Sequence, residues 1–531
     1  MRMRKWLALA IAALLLFAAG CQAVQGVDLN GVLKQSFKTT AAEGSLKYEF
    51  ELDLSKELLN KIAHEEEDAA ILSLLTRVKL EIDEYKVKDP WNNLMRGTLR
   101  LGDIGIGFSV QMSDTLMVVE LDGASAPIVM DLSAADEELS DVALSDEQLR
   151  QTQEMMLKFM ESSGDYLIDN MPNVSDLSVA LGSPVTVGGE ELSLTRVSVR
   201  FDGAELFEWL KKYLEALIAD EEGARTLVEA LATMLSEQSA LFADRELPVD
   251  ELAIVEEEED IAGAAEELIG ALKEAAAGLA FIEAAEPEMI QAIFNDSLQV
   301  RADLYVDGKL QIRKQDVEVE FRPDAEKLKS ALGENPLEGL NGIRLAYSSE
   351  MWNINGDVEL AKPQVPEDGG ITPENMEEWS TADALRFFDA ESGLYELLAN
   401  RFKIGEQEFR LYPEFDDPAP IKAPNGWTLV PLRDTAEYFE AEVKFDPETK
   451  HLIVRDDATG SEVVLTVGSN KAAVNGKTVE WGYPVTVMAD GVTYVPARNL
   501  METLGGSVAW IDEDGFQVLV MKRDVAELIE R

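Results

Sequence analysis

The chain holds two histidines, His64 and His451, one cysteine, Cys21, and 101 Asp and Glu residues, and these set its chemical reach. A Ser-His-Asp triad needs an imidazole as general base. His64 stands beside Glu65-Glu66-Glu67-Asp68 and His451 opens a strand, and both read as surface positions. A thiolate zinc site and an intramolecular disulfide each need more than one Cys. Paired carboxylates can hydrolyse glycosides, but with 101 acids any chosen pair is uninformative. The phosphate loop Gly-x-x-x-x-Gly-Lys-Ser/Thr, the nucleophile elbow Gly-x-Ser-x-Gly and the metalloprotease pattern His-Glu-x-x-His are absent. Asp512-Glu513-Asp514-Gly515 is an acidic turn without the spacing of a calcium loop. Glu256 to Asp260 reads as solvated surface, with calcium capture as the rival reading. No catalytic residue, metal site or cofactor is assigned, and the expectation is a protein that is not an enzyme.

Charge narrows the partners. With 47 Lys and Arg against 101 acids the net charge is −54, so nucleic acid and anionic headgroups are repelled. A length of 531 residues implies two to four domains, and 46% apolar residues imply folded ones. At the N-terminus, Arg2, Arg4 and Lys5 precede an apolar run from Leu7 to Ala19, too short to span a bilayer. It ends in Ala18-Ala19-Gly20-Cys21. This resembles a bacterial lipoprotein signal with its lipobox, although Ala18 stands where Leu is more usual. The resemblance implies a diacylglyceryl thioether on Cys21 as the mature N-terminus, with palmitate-like acyl chains, and an extracytoplasmic protein anchored to the cell membrane by lipid. Loss of the leader takes the net charge from −54 to −57.

The elements follow from periodicity. Leu46, Tyr48, Phe50, Leu52 and Leu54 alternate with charged residues, and similar runs recur at Val78 to Ile82, Ile104 to Met112, Leu116 to Val119 and Ile128 to Leu132. Helices are expected over 134–164, around the stripe Leu206, Trp209, Leu210, Tyr213, Leu214 and Leu217, and over 222–242 and 261–283. Strands resume at Leu298 to Val306, turn at Asp307-Gly308, and continue through Leu310 to Ile312, Val317 to Phe321, Ile343 to Tyr347 and Trp352 to Leu360. Residues 363–370 read as a linker, with a helical stretch over 373–400. Strand meanders plus covering helices resemble the curved sheets of LolA-like and mycobacterial carrier lipoproteins. That resemblance implies a hydrophobic ligand between sheet and helices, where Met155, Met156, Met160 and Met171 could line a pocket; the alternative is an ordinary core.

The C-terminal part repeats itself. Gly426 to Arg433 (GWTLVPLR) returns 65 residues later as Gly491 to Arg498 (GVTYVPAR), and seven of the twenty positions 426–445 are identical at that offset. Each unit reads as a turn, a strand ending at Pro431 or Pro496, a short helix and a return strand through Val443-Phe445 or Val508-Trp510. These motifs, joined by Val474 to Lys477, resemble the copper amine oxidase N-terminal-like, or stalk, domain. In the oxidases copper and the quinone belong to a separate catalytic domain. This chain has neither the three histidines nor the Asn-Tyr-Asp/Glu motif that such a domain requires. Arg433 and Arg498 are expected to order the helix starts by bonding carbonyls or an acid such as Asp446 or Asp512, with carboxylate or glycan binding as the rival.

The expected fold class is α+β: an antiparallel curved-sheet body with covering helices, then a smaller two-half α+β stalk domain. The expected layout is a signal peptide at 1–21, a tether at 22–43, the body at 44–362, a linker and helix at 363–401, the stalk domain at 402–523 and a tail at 524–531. The expected function is that of a lipid-anchored binding or scaffold module with a cell-wall or envelope protein partner and no nucleic acid. A carrier or sensor of a hydrophobic ligand and a cell-wall hydrolase are the alternatives.

Overall fold

Leu46, Tyr48, Phe50 and Leu52 point one way and Lys47, Glu49 and Glu51 the other along β1 (Ala42–Leu54), the central strand of an eleven-stranded sheet. The computed structural model describes residues 27–63, 66–132, 146–241, 258–333, 335, 337–367 and 369–529. The sheet also contains β2 (Arg77–Val87), β3 (Asn93–Leu101), β4 (Ile104–Ser113), β5 (Leu116–Leu121) and β6 (Ile128–Asp131). Its other half is β7 (Asp176–Val187), β8 (Glu190–Asp202), β9 (Leu298–Val306), β10 (Ile312–Phe321) and β11 (Leu340–Trp352). The order is β6-β5-β4-β3-β2-β1-β11-β10-β9-β8-β7. The two batches of strands merge where β1 meets β11 in antiparallel register, with Phe50 opposite Leu345 and Tyr48 opposite Tyr347. The fold is α+β, as the alternation implied.

Helices cover one end of the apolar face. They are α1 (Leu29–Phe37), α4 (Asp146–Asp169), α5 (Gly203–Ala219), α6 (Glu221–Leu241) and α7 (Glu258–Ala285); the short α2 (Lys56–Ile62) and α3 (Glu66–Leu75) follow β1. Helix α5 starts at an Asp202–Glu205 capping box and turns Leu206, Trp209, Tyr213 and Leu217 inward. Its stripe packs with Tyr166, Val199, Phe201, Val300 and Val319 into the main core. The buried aromatics keep their polar atoms paired: Tyr166 Oη donates to Leu217 O (2.7 Å), Tyr213 Oη to Leu167 O (2.9 Å) and Trp209 Nε1 to Pro172 O (2.9 Å). Two more short helices complete this unit, α8 (Pro287–Ile293) and α9 (Ala325–Leu332).

Two compact units divide the chain after Gln364, with Glu120–Val129 joining the second. The second unit opens with α10 (Pro373–Glu377), α11 (Thr381–Arg386) and a π-helical turn at Glu396–Arg401. Its strands are β12 (Glu406–Leu411), β13 (Ile421–Lys422), β14 (Thr428–Pro431), β15 (Glu442–Asp446), β16 (His451–Asp456), β17 (Ser461–Thr466), β18 (Lys471–Val474) and β19 (Lys477–Glu480). Then come β20 (Thr486–Val487), β21 (Thr493–Pro496), β22 (Ser507–Glu513) and β23 (Phe516–Asp524). The helices α12 (Leu432–Tyr438) and α13 (Ala497–Thr503) follow the two Pro-ended strands, and α14 (Val525–Ile529) closes the chain.

Several stretches depart from the sequence reading, among them the unexpected strands β7 and β8 and helices α2 and α3. Residues 29–37, inside the segment expected as a tether, are helix α1, with Leu29, Val32 and Leu33 buried in the main core. Three such side chains gain roughly 1.5–3 kcal/mol each on burial, which an extended tether would forfeit. The strand expected over 352–360 stops at Trp352, because Asn353 and Asn355 take positive φ and turn the chain. The helical stretch expected over 373–400 breaks into short pieces, each restarted by a capping side chain at Thr372, Ser380 or Ser392. The expected tail holds α14, whose Val525 is buried. Cys21, the leader, His64 and residues 134–145 lie outside the described residues.

Candidate functional site

The apolar face of the large sheet is wider than its helical cover. Cross-strand partners share a face, so the register sets Val199, Ala302, Val317, Tyr347, Tyr48, Leu80, Leu99 and Ile106 in one row across eight strands, β8 to β4. The helix-packed core reaches along this face as far as Leu345 on β11. Beyond it, Tyr48 is 48% exposed and Phe50, Leu80, Leu99, Phe108 and Val110 are only half-buried. The Tyr48 and Tyr347 rings lie 4.6 Å apart between centroids, tilted by 37°, and Gln315 Nε2 donates to Tyr347 Oη at 3.1 Å. Burial raises the Tyr48 hydroxyl above its ordinary pKa, and the neighbouring Tyr347 adds to the rise. Tyr85, on the same face, lies over Gly44, where a Cβ would come within 2.4 Å of its hydroxyl. Burial raises its pKa further.

The opposite face is a ladder of ion pairs. Arg344 joins Glu318 at 2.7 Å and Glu49 at 3.2 Å, and Arg196 grips Asp303 through Nε (3.0 Å) and Nη2 (2.7 Å). Lys47, Glu49, Arg301, Asp303, Asp316 and Glu318 line a shallow cleft here. Two of its carboxylates, Glu49 and Asp303, are held toward the charged form. A hydrogen bond from Lys47 holds Glu49 below the usual range, helped by Arg344 against the opposing effect of burial. Burial pushes Asp303 up, but bonds from Arg196 and Ser198 outweigh it and leave the carboxyl lowered. A general acid needs a raised carboxyl pKa, so these two are shaped for pairing.

Other residues singled out by sequence fall in separate places. Of the four methionines singled out, Met155 and Met171 are buried, Met160 is half-buried and Met156 is 48% exposed. His451 opens β16 opposite Asp446 and Thr466. Asp512 closes the β22–β23 turn, accepting from Gly515 N (3.3 Å) and Gln517 Nε2 (3.1 Å). Glu258 to Asp260 form the start of α7. Among the described residues no group of three His, Cys, Asp or Glu is placed to hold a metal ion. None of the described helices is long and apolar enough to cross a membrane.

The repeat builds a two-fold core. Val430 pairs with Val495, its own counterpart at offset 65, and Leu429 pairs with Pro496 as Pro431 does with Tyr494. That reciprocal register puts a pseudo-two-fold axis between two fully buried valines. Arg433 is exposed and pairs with Glu437 at 2.7 Å, not with Asp446; Arg498 is exposed as well. The structural arginine is Arg523, which sequence reasoning missed. Its side chain is 1% exposed and donates to the equally buried carboxylate of Asp456 at 2.7 Å and to Gln407 Oε1 at 2.7 Å. Its remaining donors go to Leu504 O (3.3 Å) and Phe439 O. Those two carbonyls are also counterparts at offset 65, the C-caps of α13 and α12. One guanidinium thus closes both repeat helices. Spacing within the repeat could not reveal it, since position 458, its counterpart, is Ala.

An exposed aromatic cluster lies beside the β22–β23 turn. Phe415, 67% exposed, meets Phe516 edge-on at 5.3 Å and Tyr412 at 6.4 Å. Glu513 joins it, accepting from Tyr412 Oη (3.3 Å) and Arg410 Nη1 (2.9 Å).

Residues 409–519 match the family model described as copper amine oxidase N-terminal domain. The matched span contains both Val-Pro-x-Arg units and most of the repeat core, whereas Gln407 and Arg523 fall just outside it. No curated protein matches the chain.

Proposed function

We propose that the chain is a non-enzymatic, lipid-anchored protein of the cell envelope, a binding or scaffold module whose stalk-type domain makes envelope or protein contacts. The observation that carries this reading is the exposed Tyr412–Phe415–Phe516 cluster on the family-matched domain. Aromatic side chains left in water and rimmed by Arg410 and Glu513 have the composition of an interaction hot spot. Cys21 supplies the anchor, and the net charge of −54 leaves nucleic acid out of the partner list. A photocrosslinker at Phe415, installed in the full-length protein on intact cells, is expected to give discrete envelope adducts. The same probe at Lys477 on β19 is expected to give none. Equal labelling at both positions contradicts the reading.

The half-open apolar face around Tyr48 and Tyr347 favours a second reading, carriage or sensing of a hydrophobic ligand, in the manner of the LolA-like lipoproteins that the meander resembles. Solvent extraction of the purified protein followed by mass spectrometry checks it. Copurifying lipid that is lost in Tyr48→Asp supports carriage, and a lipid-free extract removes it.

A further inference from the structure

We infer that the anchored protein is held close to the bilayer, with the hairpin end of its large sheet facing the lipid headgroups. The inference rests on the proposed acylation of Cys21. Its structural basis is α1. Val27, Leu29, Val32 and Leu33 are buried in the main core, and Lys34 binds both Asp165 and Asp169 at 2.7 Å while Lys38 binds Glu161 at 2.6 Å. Only six Cα steps separate Cys21 from Val27, a span of at most about 20 Å. A tether running to residue 43 would have reached about 75 Å. The difference decides the outcome. A body this acidic would stand off from an anionic surface if it could, and the short leash prevents it.

The leash also selects the end that faces down. The first turn of α1 lies against the β9–β10 hairpin, where a Cβ on Gly31 would come within 3.1 Å of Leu310 Cδ1. Strand register places other turns at this same end. Thr195 pairs with Val306 and β8 extends five residues beyond it to the β7–β8 turn, Val87 pairs with Asn93 at the β2–β3 loop, and Asn93 pairs with Met112 before the β4–β5 turn. Asn92 Nδ2 donates to Asp114 Oδ1 at 2.7 Å, tying two of these turns together. Exposed Lys88 and Lys309 and half-buried Trp91 sit on this rim, residue types that suit a headgroup layer. Helix α9, which follows Phe321, lies at the opposite end of β10.

The sequence offers a convenient test, because acylation consumes the only cysteine. Lys309→Cys and Lys329→Cys, both at exposed sites, each give the full-length acylated protein one free thiol for a fluorescent donor. In phosphatidylcholine vesicles bearing a headgroup-linked acceptor, energy transfer from position 309 is expected to exceed that from position 329 several-fold. The ten residues of β10 alone set the two ends about 30 Å apart. Inserting a Gly/Ser spacer of about twenty residues after Gly26 is expected to shrink the difference, since such a linker adds roughly 25 Å of mean reach. Equal or reversed transfer in vesicle-bound protein overturns the orientation and leaves acylation standing. A protein whose Cys21 carries no acyl mass and that fails to sediment with vesicles overturns both.

Discussion

Arg523 shows how one side chain can hold a duplicated domain together. Its guanidinium reaches the C-cap carbonyls of both repeat helices and the carboxylate of Asp456, all with almost no contact with water. Taking a charge out of water is costly, and its partner repays that cost only while both are present. Arg523→Met would leave Asp456 buried without a countercharge, a loss of about 3–5 kcal/mol. Because the same group caps α12 and α13, amide hydrogen exchange at the ends of both helices is expected to accelerate together. Acceleration in one helix alone, or in neither, contradicts the shared cap. Arg433→Ala removes an exposed i, i+4 pair with Glu437 and is expected to cost no more than about 0.5 kcal/mol. The arginine visible in the repeated motif is thus the minor one.

At the scale of elements, the ladder on the polar face of the large sheet makes stability depend on pH. Glu49 and Asp303 have lowered carboxyl pKa values in the folded protein, so both bind protons less readily there than in the unfolded chain. Their contribution is complete above the ordinary carboxyl range and drains away as pH falls through the lowered values. The urea midpoint is therefore expected to fall between about pH 5 and pH 3. A Glu49→Gln, Asp303→Asn variant should show a flatter fall, and parallel curves would mean these acids are not linked to folding. The strand positions of this ladder were legible, since alternation along 46–54 separates Lys47 and Glu49 from Tyr48. Its partners were not. Strands β7 and β8 went unread: β7 is interrupted by Gly182, Pro184 and a register shift, and β8 carries Ser193, Thr195 and Ser198 among its apolar residues. Without β8 there is no Arg196 to meet Asp303. Helix α1 was hidden in the same way, because nine residues with only three buried side chains give little periodic signal. In the second unit the 65-residue repeat exposed both halves, while Arg523 and Asp456 have no repeat partner to mark them.

Over the whole molecule the excess of negative charge competes with the local pairs, and salt decides between them. A net −54 on 531 residues makes the folded state repel itself, whereas unfolding spreads the charges apart. Added salt weakens that repulsion as the Debye length falls from about 10 Å at 0.1 M to about 3 Å at 1 M. It also weakens ladder pairs such as Arg344–Glu318 and Lys79–Glu81, but partly exposed pairs of this kind are worth roughly 0–1 kcal/mol each. The acids outnumber the cations about two to one, so most negative groups have no cation to lose, and relief of repulsion should dominate. Sodium chloride suits the measurement because strongly excluded salts such as sulfate stabilise through apolar burial as well. The thermal midpoint of the full-length chain at neutral pH is expected to rise with sodium chloride, most steeply below about 0.3 M, where the Debye length changes fastest. A midpoint that falls from the first addition would mean that the paired charges, and not the surplus acids, govern the stability of this fold.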